Sequence, residues 1–243
     1  MIKRKSLLQG LPAALIVLSA AISICAQNQG GKHNPRPQQA AATPAVVGEN
    51  KTEAVKYTYE FSQPKFYIKH VVIEHDQSGR GTITFERLNE DVPVVEPLSL
   101  SAAALGRITS LWTALDFLNS DVNYQSSQSY AHLGVMKVGM EQGERKRVAQ
   151  FDWSHNENAA ALVTEYKKAT DQAILVFDLS VARENQPLNM PKLMEGFESY
   201  LNRSWLSDPQ QLLPLLKEIS TDDHVPLIAR NHALRLIKKI EKK

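Results

Sequence analysis

Cysteine is all but missing from this 243-residue chain, which has one, Cys25. A lone cysteine excludes an internal disulfide and a thiolate metal cluster, so the fold must rest on its hydrophobic core. No glycine-rich loop follows a strand and opens a helix; Gly79 and Gly81 read as a hairpin turn, which removes nucleotide- and dinucleotide-binding loops. The Gly-x-Ser-x-Gly signature is also lacking, since Ser78 precedes Gly79 but follows Gln77 and Asp76. A strong excess of one charge is missing as well. With 28 Lys and Arg against 26 Asp and Glu, the formal net charge is +2, which gives no global argument for nucleic acid or an anionic membrane.

What is present begins at the N-terminus. Lys3, Arg4 and Lys5 precede an uncharged apolar stretch over residues 11–26, the pattern of a secretory signal peptide. That stretch is shorter than the roughly 20 residues a membrane-spanning helix needs, and polar Gln27, Asn28 and Gln29 follow it. The pattern predicts cleavage after Ala26 and a periplasmic or secreted protein without a transmembrane helix in its mature form. Cleavage there discards Cys25. A rival reading keeps Cys25 as a lipid-modified first residue, but Ile24 departs from the small residue that such signals place before the cysteine. Without its three N-terminal basic residues the chain carries 25 basic against 26 acidic groups, so the formal charge becomes −1.

Residues 27–54 are rich in Gln, Asn, Gly, Pro and Ala and hold no Phe, Trp or Tyr, which predicts a disordered linker. From Tyr57 onward aromatic and β-branched residues concentrate. Alternation predicts a strand over 57–61, a hairpin over 66–86 that turns at Gln77, Ser78 and Gly79, and an edge or loop over 89–97, where Pro93 and Pro97 bar a central strand. Ser99 or Ser101 caps a helix whose Leu105, Ile108, Leu111, Trp112, Leu115 and Leu118 recur at helical spacing, with an end expected near Asn119. A polar loop, a second hairpin through Gln142 and Gly143, and a helix from Glu157 to about Leu179 follow. The expected fold class is α+β: a two-layer sandwich of antiparallel sheet with helices on one face, ββαββα-like, over residues 55–182. A C-terminal helical region over 183–243 completes the chain, ending in a helical hairpin.

Residues 76–81, the helix end at Leu115, Asp116, Phe117 and Leu118, the tyrosine-containing loop and the hairpin around Gly143 together resemble an uncharacterised domain of exported bacterial proteins, over about residues 60–180. The resemblance implies the fold and the compartment and no activity. Further on, Asp208 and Pro209 open a helix with Leu212, Leu215, Leu216 and Ile219. A second carries Ile228, Ala229, Ala233, Leu236, Ile237 and Ile240. With Pro214 and the Ala229–Arg230 pair, these two resemble a single HEAT repeat. Such units bury their faces by stacking, which implies that this one packs on the preceding domain, a second subunit or a protein partner.

The seven histidines are scattered. His70, Glu74 and His75 approach an inverted zincin pattern, but three residues separate the first His from the Glu where two are needed, and on a strand His70 and His75 face opposite ways. His70, Glu74 and Asp76 can share one strand face and, with His132, form the best acid–base set in the sequence. The loop over 119–130, with Tyr124, Gln125, Gln128 and Tyr130, suits adaptable contacts. No metal or cofactor site is indicated. The sequence therefore points to a non-catalytic binding or protein-interaction module of the cell envelope, with a hydrolase or other enzyme built around His70, Glu74, Asp76 and His132 as the alternative.

Overall fold

The computed structural model describes residues 53–242, so the signal segment and nearly all of the expected linker lie outside the described residues. Four strands come first: β1 (Val55–Ser62), β2 (Ile68–Asp76), β3 (Arg80–Arg87) and β4 (Val94–Ser99). Helix α1 (Ala102–Ala114) follows, then β5 (Val135–Gln142), β6 (Arg145–Phe151) and α2 (Glu157–Asn185). Three more helices, α3 (Met190–Asn202), α4 (Leu213–Thr221) and α5 (Leu227–Glu241), complete the chain.

All six strands form one antiparallel sheet in the order β4-β3-β2-β1-β5-β6. The α+β sandwich is thus present, with four strands before the first helix. The extended segment containing Pro93 and Pro97 supplies the edge strand β4, where the absence of a ladder donor at Pro97 is tolerated. Strand alternation divides the faces. Tyr57, Tyr59, Val71, Ile73, Ile83, Phe85 and Val138 point to the helices and are buried, while Lys56, Thr58, Glu60, Glu74 and Lys137 point away. The β2–β3 turn depends on glycine: Gly79 has φ +79°, and a Cβ on Gly81 would stand 1.8 Å from the Glu74 carbonyl oxygen.

Ser101 caps α1 by accepting a hydrogen bond from the Ala104 amide. The helix stops at Ala114, short of the expected Asn119, because the chain turns at Asp116, whose φ is +43°. This reversal folds Phe117 back edge-on against Trp112, at 4.7 Å between ring centroids. The apolar spacing of Leu115 and Leu118 is therefore that of a turn closing on the core.

Helix α2 runs six residues beyond Leu179 and is the spine of the molecule. Its 29 residues extend roughly 43 Å at 1.5 Å each. The first half, with Leu162, Tyr166 and Ala169, packs on the sheet, and the second, with Leu175, Leu179 and Ala182, packs on α3, α4 and α5. Leu212, Leu216, Ile219, Ala229, Ala233, Leu236, Ile237 and Ile240 of the C-terminal hairpin are buried in this second core, with Met190, Met194 and Phe197 of α3. Pro214 sits in the first turn of α4, where no intrahelical amide bond is lost. Ile228, expected on the buried stripe, is exposed together with Leu227 and Leu234 on the outer side of α5. Among the described residues no helix is long and apolar enough to cross a membrane.

Candidate functional site

The open face of the sheet holds the acid–base set read from the sequence, and the strand spreads it out. His70 reaches Glu86 through Nδ1 at 3.1 Å and Glu60 through Nε2 at 3.3 Å, and Lys137 continues the ladder by donating to Glu60 at 3.1 Å. Glu74 is paired with Lys56 at 2.8 Å, one side chain further along. Asp76 belongs to its own turn, accepting hydrogen bonds from the Ser78 amide and hydroxyl and from the Arg80 amide, and the Ser78 hydroxyl in particular holds its carboxyl below the usual range. At about 3.3 Å per residue, Glu74 lies roughly 13 Å and Asp76 roughly 20 Å from His70 along the strand. His132 stands in a 3₁₀ turn (Ala131–Leu133) beside Tyr130, 6.2 Å between ring centroids. Among the described residues no hydrogen bond or ion pair joins any two of these four, and no group of three metal-binding side chains forms. A shared strand face gives ion pairs across strands here; it does not give convergence.

His75, on the other face, is buried in a closed network. Its Nδ1 faces the Asp76 carbonyl oxygen at 2.8 Å, which only accepts, so Nδ1 carries the proton. Its Nε2 therefore accepts from the Tyr166 hydroxyl at 2.9 Å, and the Tyr166 oxygen in turn accepts from the Trp112 indole at 3.1 Å. Burial pushes the His75 pKa down, which favours the neutral ring, against the Asp76 carbonyl and carboxylate. Each side-chain polar atom of this network has a partner, so it ties β2, α1 and α2 together through the core.

The watched loop over 119–130 is pinned. Tyr124 is buried against Phe117 and Phe151, Gln125 donates to Asp152 at 2.8 Å, and Ser129 donates to the same carboxylate. Arg147 closes it from β6, donating to the carbonyls of Phe117 and Val122 with its guanidinium 4.5 Å from the Phe117 ring centre.

A groove beside α2 concentrates the unusual side chains. Lys167, Thr170, Asp171 and Ile174 recur at i, i+3, i+4 and i+7 and so form one stripe of α2. This stripe faces Tyr59, Phe61 and Val71 of the sheet, Phe66 and Tyr67 of the β1–β2 connection, and Leu133, around a cavity of about 620 Å³. Phe66 and Tyr67 remain 43% and 60% exposed and form its rim. The far wall is Trp205, placed there by the end of α3. Ser204 adopts φ +53°, its amide donates to the Leu201 carbonyl and the Trp205 amide donates to the Tyr200 carbonyl, a Schellman closure that throws the indole back onto α2. The indole N–H donates to Asp171. A second hollow of about 690 Å³ shares Tyr67, Ile68, Asp171 and Ile174 and continues the groove towards Asn189. Its floor carries Arg87, paired with Asp178 and stacked 5.5 Å from the Phe177 ring centre.

The ionisable groups of this groove are displaced from their ordinary states. Burial pushes the Asp171 carboxyl up, against the pull of Trp205, Lys167 and Arg203. Burial pushes the Lys167 ammonium down, with Asp171 opposing. The Thr170 hydroxyl, on a residue only 7% exposed, has no hydrogen-bond partner, although a helical threonine commonly bonds back to the carbonyl four residues earlier. Sequence reading passed over these residues. The available signal was a polar stripe beside the apolar stripe of Leu162, Tyr166 and Ala169 on one helix, which says that part of the sheet-facing side is not closed. The partners Phe66, Tyr67, Leu133 and Trp205 come from three separate connections and carry no common spacing.

Neither a scan of protein-family models nor a search of curated proteins gives any match to this chain.

Proposed function

We propose that the chain is an exported, non-catalytic binding module of the cell envelope, and that it holds its ligand in the groove beside α2. The observation that carries this reading is the groove itself: about 620 Å³ walled by aromatic and aliphatic side chains, with a half-buried lysine, a half-buried carboxyl and a buried, unpaired hydroxyl on one helical stripe. A mostly apolar hollow of a few hundred Å³ with a few polar groups is the usual form of a small-ligand site. Lys167, Thr170 and Asp171 would set the ligand's orientation while the rings supply contact area. Purification from the native envelope under non-denaturing conditions, followed by mass analysis of what is released, is expected to give a bound small molecule that the cavity-filling variant Leu133→Trp lacks. No released molecule, together with no response of either protein to a chemically diverse ligand set, would sink the reading. Export is tested by the mass of the mature N-terminus, expected to begin at Gln27.

A second, compatible reading is contact with a protein through the C-terminal hairpin, whose pattern is similar to a single HEAT unit. Its inner face is taken by α2 and α3, so the available surface is the outer side of α5, where Leu227, Ile228 and Leu234 stand exposed near Arg235 and Lys238. Leu227→Glu with Leu234→Glu is expected to abolish binding of such a partner without changing the folded structure. The enzymatic alternative around His70, Glu74, Asp76 and His132 gains nothing from the geometry, because the first three are spread along β2 and His132 stands apart in a 3₁₀ turn.

A further inference from the structure

The geometry points to an amphiphile with a single anionic head, of the long-chain carboxylate class, as the ligand of the α2 groove; this rests on the binding reading above and names what is bound. Charge and surface both argue for it. Two cations border the cavity, Lys167 from α2 and Lys65 from the β1–β2 connection, against one carboxyl, Asp171. Arg203, at the end of α3, also acts on Asp171 through its charge. A ligand carboxylate between Lys167 and Lys65 completes the charge balance and offers an acceptor to the unpaired Thr170 hydroxyl on the same stripe.

Asp171 does not oppose such a head. Trp205 donates to one of its oxygens, and burial raises the pKa of its carboxyl, which weakens its opposition to an incoming anion. An approaching anion in turn favours the charged form of Lys167, which burial alone disfavours. A cationic ligand meets the reverse. One aromatic face that such a ligand would use, that of Phe61, is already covered by Lys167, whose Nζ lies 5.8 Å from the ring centre. The tail has its own wall: Phe61, Phe66, Ile68, Val71, Leu133 and Ile174 form a continuous apolar surface running from the head position to the rim.

The test compares three probes of equal chain length on the folded protein, each below its micellar concentration: dodecanoate, dodecanol and dodecyltrimethylammonium, followed by calorimetry and tryptophan fluorescence. Dodecanoate is expected to bind at least tenfold more tightly than either other probe, and Lys167→Met is expected to erase that preference, so that dodecanoate and dodecanol bind alike. Equal or tighter binding of the ammonium, or an unchanged dodecanoate affinity in Lys167→Met, overturns the assignment of an anion. The cavity-filling variants Ile174→Trp and Leu133→Trp separate this failure from failure of the groove itself. The second alters only the exposed rim, so it serves if the first disturbs folding. If the three probes bind without charge preference and both fillings abolish binding, the groove stands and the anion falls. If neither filling changes any binding, both fall.

Discussion

The core beneath the sheet and the core among the C-terminal helices share α2 and differ in nearly everything else. Beneath the sheet, Tyr57, Tyr59, Phe85, Trp112, Phe117, Tyr124, Phe151 and Tyr166 meet around a buried histidine, and polar atoms inside the core are satisfied by one another. Among the helices, Leu, Met, Ile, Ala and Val surround one fully buried aromatic, Phe197, with Tyr200 partly buried against them, and apart from the buried His232 the charged groups stay at the margin: Arg183 with Asp222 and Glu218, and Glu198 with His232 and Lys239. An aromatic core tied by directional hydrogen bonds admits few alternative packings, whereas an aliphatic one is fixed mainly by volume. The groove lies where the two meet, along the middle of α2, and there neither rule is satisfied: rings are left exposed and polar groups unpaired.

If α2 couples the cores, damage to one must be felt by both. Phe197→Ala is expected to cost about 3–5 kcal/mol by removing a fully buried ring. Calorimetry should still record one unfolding transition; two separated transitions would break the comparison by showing that each core melts alone. Tyr166→Phe leaves both the Trp112 indole and His75 Nε2 without their partner and is expected to cost about 1–3 kcal/mol in denaturant titration. Because burial depresses the His75 pKa, acidification protonates the unfolded chain first, so stability should decline as pH falls below the ordinary histidine value of 6.5. His75→Gln should flatten that part of the stability profile.

Smaller effects sharpen the boundary between the cores. Asp171 is an acid whose folded pKa is raised, so it subtracts stability once pH exceeds the ordinary carboxyl range and nothing below it. Asp171→Asn should therefore stabilise the protein at pH 7 and leave it unchanged at pH 3, at the expense of ligand binding. Ser204→Gly relieves a left-handed backbone position and is expected to add up to about 1 kcal/mol. At the margin of the aliphatic core, Arg183 and His224 pull the Asp222 pKa down to about 2. The stability this pair contributes is present above pH 4 and lost as pH falls through 2, and Asp222→Asn should remove that acid dependence.

Elements specified by their own residues were legible in the sequence: the Asp76–Gly81 turn, the Ser101 cap, the edge strand marked by Pro97, and the apolar stripe of Leu162, Tyr166 and Ala169. Each is a contact between residues a few positions apart. What could not be read was set by contacts distant along the chain. Asp116 ends α1 because Phe117 must return to Trp112. Helix α2 outlasts Leu179 because α3, α4 and α5 cover its second half, and Ile228 points outward because Ala229 and Ala233 take the inner face. The groove was missed for the same reason. For the acid–base candidates the sequence places His70, Glu74 and Asp76 on one strand face but does not bring them together, because a strand separates residues as fast as any backbone can.

The position of β1 has a consequence for how the molecule comes together. The first strand in the chain is central in the sheet, pairing with β2 at once on one side but on the other with β5, where Val55 meets Gln142. In a chain delivered N-terminus first, that second edge stays bare until nearly ninety further residues have emerged, and its alternating tyrosines are open to any strand that arrives sooner. Loop closure over such a span makes this pairing the slow, late event of folding, and the interval before it is when the chain is most exposed to association with its own copies.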